Sequence, residues 1–219
     1  MAVTGSPYGA GVPGDRLMAL VFPARCPGCG RPAEPVCAGC LGSVGPALVA
    51  PPPAGIDRWA APFAYDGVMR ELVARAKYRN RHAALCWLAD RMADAWERAG
   101  WSTPDLVTWV PAAPRRRRAR GIDHARLLGR RVARHLGAPA SDLLVRRDRG
   151  AQTDRDLATR RRGPTVAARG PVAGHVLVVD DVATTGATLR VCAAVLRHAG
   201  ASAVDALTGA RTPPHRRMT

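Results

Sequence analysis

Apolar residues recur at helical spacing in two early stretches: Met69, Leu72, Val73 and Ala76, then Leu85, Leu88, Ala89, Met92, Trp96 and Ala99. Steps of three and four put each set on one face of a helix, and Gly100 is placed to end the second as a C′ glycine. The period then changes. Leu106, Val107, Thr108, Trp109 and Val110 form a short β-type run stopped by Pro111, after which Ala125, Leu128, Val132 and Leu136 return to helical spacing. The alternation repeats towards the C-terminus. Val176, Leu177, Val178 and Val179 form a continuous aliphatic run suited to a strand buried on both faces. Leu189, Cys192, Ala193, Leu196 and Ala199 mark the next helix, closed by Gly200, and a final strand is expected around Val204 to Leu207. Strands alternating with helices predict an α/β fold with a mainly parallel sheet, in which ligands sit at the carboxyl ends of the strands.

Ahead of this body the pattern weakens. Residues 1–15 are mostly Gly, Pro and small polar types with too little apolar area to fold alone, which predicts a flexible tail. Met18, Ala19, Leu20, Val21 and Phe22 are apolar, but that run is far short of the roughly 20 residues a spanning helix needs. It reads as a short helix beside the cysteines that follow, and no membrane insertion is expected. Residues 16–50 are expected to form a small cysteine module, Pro51, Pro52 and Pro53 a linker, and residues 59–212 the main domain.

Charge adds a direction. The 219 residues carry 33 Lys plus Arg against 17 Asp plus Glu, a net +16, and Lys77 is the only lysine. The flat, permanently charged guanidinium suits phosphate oxygens, pointing to phosphorylated small molecules, nucleic acid or both. Arginine-rich coding would give the same excess without a ligand.

Four of the six cysteines stand in C-x-x-C pairs, Cys26 with Cys29 and Cys37 with Cys40. That spacing lets two thiolates turn onto one tetrahedral ion, so the four read as a structural Zn²⁺ site, closed and without an open position for catalysis. Such usage suits a reducing cytoplasm better than a disulfide framework. Cys86 and Cys192 fall on apolar helix faces and are expected in the core.

The most informative segment follows the aliphatic run. Asp180 and Asp181 are succeeded by Val182, Ala183, Thr184, Thr185, Gly186, Ala187 and Thr188 at the start of a helix. A small-residue turn there offers backbone N–H groups and hydroxyls at the positive end of the helix dipole, a pocket for a phosphate. The paired acids can accept hydrogen bonds from ribose hydroxyls or help hold a divalent cation; the plainer reading is that they and the threonines cap the helix. A Walker-type loop is excluded, because no lysine follows Gly186.

This segment resembles the phosphoribosyl pyrophosphate (PRPP) binding motif of type I phosphoribosyltransferases, an apolar strand ending in two acids followed by T-T-G-x-T. With the cysteine pairs, the chain resembles the ComF family from residue 17 to 211, amidophosphoribosyltransferase-like proteins linked in some bacteria to DNA uptake by natural competence. The resemblance implies a Rossmann-like phosphoribosyltransferase core behind a zinc module. It makes Asp180 and Asp181 the catalytic acids facing the ribose hydroxyls, with Mg²⁺ accompanying PRPP, and makes Ala183, Thr184, Thr185, Gly186, Ala187 and Thr188 the cradle of the 5-phosphate. Pro111, Ala112, Ala113, Arg115 and Arg120 align with the family's P-V-P-x-x-x-x-R-x-x-R-G segment and, with Lys77 of a K-[FY] motif, become candidates for the pyrophosphate side. Where the family continues R-G-F-N-Q, this chain has Arg120, Gly121, Ile122, Asp123 and His124. The function implied is transfer of phosphoribosyl to an unidentified nucleophile with release of pyrophosphate. The alternative is a non-catalytic competence protein that binds single-stranded DNA through its arginines, or a competence helicase or other partner protein.

Overall fold

The computed structural model describes residues 25–33, 35–76, 82–112, 123–147 and 165–213. Its elements are α1 (Ala38–Gly42), β1 (Trp59–Ala60), β2 (Phe63–Ala64), α2 (Gly67–Ala76), α3 (His82–Arg98), β3 (Leu106–Trp109), α4 (His124–His135), β4 (Leu144–Arg147), β5 (Thr165–Ala168), β6 (His175–Ala183), α5 (Ala187–His198) and β7 (Ala203–Arg211). The main sheet runs β1-β7-β6-β3 with every pair parallel, and β2 follows β1 along the same edge of β7. β4 and β5 form a separate antiparallel pair.

Side-chain alternation along β6 divides the core. Leu177 and Val179 pack with α2, α3 and α4, while Val176 and Val178 pack with Leu189, Cys192, Ala193 and Leu196 of α5. A strand covered by helices on both faces has no solvated side, which is why its sequence is continuously aliphatic. β6 is nevertheless longer than that run. Asp180, Val182 and Ala183 keep register with Thr208, Ala210 and Arg211 of β7, so the ladder continues through the acids and β7 extends four residues beyond Leu207. Cys192 is fully buried as expected, whereas Cys86 is only half-buried: it lies at the margin of the α3 face whose centre is Leu85, Leu88 and Ala89. Residues 1–15 and the apolar run 18–22 lie outside the described residues.

At the amino end of the sheet a buried acid organises three elements. Asp205 Oδ2 accepts Arg58 Nε at 2.9 Å and Nη2 at 2.7 Å, and lies 2.6 Å from His175 Nε2. Arg58 in turn lies over the rings of Trp96 and Trp101.

Candidate functional site

β3 stops at Trp109, paired with Val179, so among the described residues the β3–β6 ladder ends one residue before Asp180. Both acids are half-buried at this step, opposite the residues that leave β3: Pro111 is buried and Ala112 half-buried, and the Val110 N–H donates to Val179 O at 3.0 Å. Asp180 Oδ1 accepts the Asp181 N–H at 2.8 Å. Burial first, and the charge of Asp180 second, push the Cys192 thiol up to about 12. Asp180 therefore acts on the α5 face of the sheet.

Ala183 is buried at the end of β6, and the chain then turns through exposed Thr184 and Thr185 into α5, whose first residues Ala187 and Thr188 are also exposed. The Ala187 N–H donates to Thr185 Oγ1 at 3.3 Å. Gly186 is the N-cap, with φ 69°. A Cβ there would stand 2.5 Å from Pro53 Cγ, so Pro53, in the segment expected as a linker, packs directly on the turn. Among the pyrophosphate-side candidates, Lys77, Ala113, Arg115 and Arg120 lie outside the described residues. Asp123, where the family has an amide, is the N-cap of α4, its Oδ1 accepting the Arg126 N–H at 3.2 Å.

The cysteine module is built as a knuckle on a short helix. Cys26 N–H donates to Arg31 O and Gly30 N–H to Cys26 O, closing the first turn. The Cys37 N–H points at Cys26 Sγ and the Cys40 N–H at Cys37 Sγ, each at 3.4 Å. All four sulfurs lie within 4.8 Å of one another. Burial pushes the Cys26 thiol up, but N–H groups of Cys37, Cys29 and Gly28 outweigh it and bring it down to about 6. Burial and the neighbouring sulfurs push Cys40 up to about 12. Such converging sulfurs, with backbone N–H groups aimed at them, are the donor set and polarity that a tetrahedral zinc ion requires. The module is docked: Val36 and Val44 pack against the α2–α3 core, and Arg75 Nη1 donates to Gly28 O at 3.3 Å.

Comparison with known proteins follows the same lines. No family model matches the chain. The DNA utilization protein YhgH of Salmonella typhimurium is 31% identical over 196 residues, covering 85% of this chain and 84% of that protein. Competence protein F of Haemophilus influenzae is 29% identical over 148 residues, 61% of this chain and 64% of that one. The chain belongs to the ComF family. Solved structures overlap this ComF chain only in part. The allosteric regulatory enzyme of purine biosynthesis gives a TM-score of 0.42 at 23% identity over 59% of this chain, which spans about a quarter of that protein. A purine phosphoribosyltransferase from Pyrococcus horikoshii gives 0.38 at 20% identity, over 55% of this chain and 71% of that one. The core of this ComF chain is a parallel sheet covered by helices on both faces, preceded by the four-cysteine module. No helix of the described residues is long and apolar enough to cross a membrane.

Sequence reasoning missed Pro53, which packs on the turn, and the group of Trp59, Thr208 and Arg211 beside the end of β6. One signal was available, since Arg211 is a cation at the end of a strand whose preceding residues, Thr208, Gly209 and Ala210, are small and uncharged.

Proposed function

We propose that the carboxyl end of the sheet binds PRPP with Mg²⁺ and that the chain transfers the phosphoribosyl group to a nucleophile, releasing pyrophosphate. The observation that carries this reading is the step at Asp180 and Asp181: half-buried carboxylates just past the last residue of β3, feeding an exposed turn at the start of a 12-residue helix. In it Asp180 and Asp181 hold the ribose hydroxyls, and residues 183–188 receive the 5-phosphate at the positive helix end. Two carboxylates suit a hard cation, which supplies charge neutralisation for the departing pyrophosphate. The C1–O bond to pyrophosphate breaks, the nucleophile bonds to C1, and its proton passes to water. In this reading Pro111 and Ala112 lie on the leaving-group side, with Lys77, Ala113, Arg115 and Arg120 as further contacts. The same reading takes residues 1–15 as a tail, 16–50 as the zinc module and 59–212 as the transferase domain, working in a reducing cytoplasm.

Calorimetry with PRPP and Mg²⁺ tests it: micromolar binding by the native chain, lost in the Asp180→Asn, Asp181→Asn double variant, is the expected result, and equal heats from both proteins reject it.

The names of the relatives, DNA utilization protein and competence protein, favour a second reading in which Arg115, Arg116, Arg117 and Arg118 grip single-stranded DNA through its phosphates. Binding that falls steeply with salt and is lost when these four become alanine supports it; absent or salt-independent binding removes it.

A further inference from the structure

Arg211 is a buried cation at the end of β7. The residue is 5% exposed and its Nε has no hydrogen-bond partner. Among the described residues no carboxylate pairs with it; the guanidinium instead lies 4.8 Å from the centre of the Trp59 ring. A guanidinium stays protonated at neutral pH, and a buried charge without an anion is costly. Ring stacking offsets only part of that cost.

Its position supplies the missing partner. Arg211 is in register with Ala183, the residue that leads into the 184–188 turn, and the Thr212 N–H donates to Ala183 O at 3.0 Å. The Trp59 indole N–H donates to Thr208 Oγ1 at 3.1 Å, and Thr208 is in register with Asp180. Trp59 packs into the same cluster as Ala183 and Leu189, so the guanidinium over its ring lies on the α5 face of the sheet. Pro53, against Gly186, walls the turn from the same N-terminal segment.

We infer that Arg211 is an anion-binding residue, completing from the strand side a phosphate subsite whose other half is the N-terminus of α5. The inference rests on the phosphoribosyl reading of that turn, which already assigns it a phosphate monoester, and adds a residue that none of the motifs contains. Charge-assisted hydrogen bonds of this kind change affinity by roughly 10- to 100-fold.

The full-length chain is titrated with inorganic phosphate, ribose 5-phosphate and PRPP with Mg²⁺, alongside Arg211→Gln, Arg211→Lys and the Asp180→Asn, Asp181→Asn double variant. Expected is a loss of tenfold or more for all three probes in Arg211→Gln, with partial retention in Arg211→Lys. Tighter binding of ribose 5-phosphate than of inorganic phosphate identifies a sugar phosphate as the source of the anion; equal binding identifies free phosphate. PRPP binding that needs the two acids but is unchanged in Arg211→Gln overturns the Arg211 inference and leaves the phosphoribosyl reading standing. Phosphate binding that needs Arg211 while PRPP binds no better than phosphate does the reverse. Should Arg211→Gln fail to fold, the ¹⁵Nε–H resonance of Arg211, assigned by its absence in Arg211→Lys, decides: it must shift when phosphate is added to the native chain, and an unmoved resonance at saturation overturns the inference.

Discussion

Replacing Gly186 by alanine tests whether Pro53 seals the turn. The new Cβ would stand 2.5 Å from Pro53 Cγ and 3.1 Å from Pro53 Cβ, at a residue whose φ is 69°. The left-handed conformation costs an alanine about 1 kcal/mol, and overpacking against a ring that cannot rotate away adds about 1–3 kcal/mol. Gly186→Ala is therefore expected to destabilise the fold by about 2–4 kcal/mol. The two causes separate in a double-mutant cycle. Pro53→Gly deletes the three atoms nearest the new Cβ but leaves φ unchanged, so in that background the cost should fall to about 1 kcal/mol, a coupling of about 1–3 kcal/mol. Urea unfolding of the four proteins, compared at equal m-values, measures it. An equal cost of Gly186→Ala in both backgrounds refutes the contact, because then only backbone strain is being read.

Asp205→Asn should cost about 2–3 kcal/mol in the same assay, below the usual range for breaking a buried pair because Arg58 is about a third exposed; a loss under 1 kcal/mol counts against the Arg58–Asp205–His175 network. Cys192 should resist thiol reagents at pH 8 in the folded chain, since burial and Asp180 push its thiol up to about 12. Its raised folded pKa means that the unfolded chain loses the proton first, so stability should fall between pH 9 and about 12 by up to about 1.4 kcal/mol per pH unit. Cys192→Ala should remove that component. Strong chelation should release about one zinc ion per chain and lower the unfolding temperature, with Cys37→Ser already metal-free; an unchanged melting curve argues against a structural ion.

The parts of the fold legible in the sequence are those held by periodicity. The aliphatic run 176–179 and the stripes of α2, α3, α4 and α5 place the central strand and its covering helices, because a strand buried on both faces and helices on either side need those patterns. The edge of the sheet was not legible. β1 and β2 are two residues each and take their extended form from pairing with β7, not from their own propensity. β6 outran its aliphatic run because pairing with β7 holds Asp180 to Ala183 in the ladder, where local sequence would end a strand. At the candidate site, the acids and the turn are contiguous and so could be seen as a motif. Pro53 on Gly186 and Trp59 under Arg211 are contacts between residues about 130 and 150 positions apart, and no local pattern records them.

Those distant contacts share one origin. The chain leaves the cysteine module, touches the turn at Pro53, and then runs along β7. Asp57 Oδ2 accepts the Val204 N–H at 2.8 Å and pairs with Arg197 of α5 at 2.6 Å. Trp59 faces Arg211, and the Tyr65 N–H donates to Arg211 O at 2.7 Å. Residues 41–59 thus connect the last of the four cysteines to Pro53 against Gly186 and to Trp59 against Arg211. A closed four-thiolate ion has no chemistry to contribute to transfer, but it would fix one end of this segment, and Val36 and Val44 fix it against the core. On the Arg211 inference the module's use would be positional: holding residues 53–65 in place would keep the Trp59 platform under Arg211 and Pro53 against Gly186, so that the proposed anion site is formed before its ligand arrives, which lowers the ordering cost of binding.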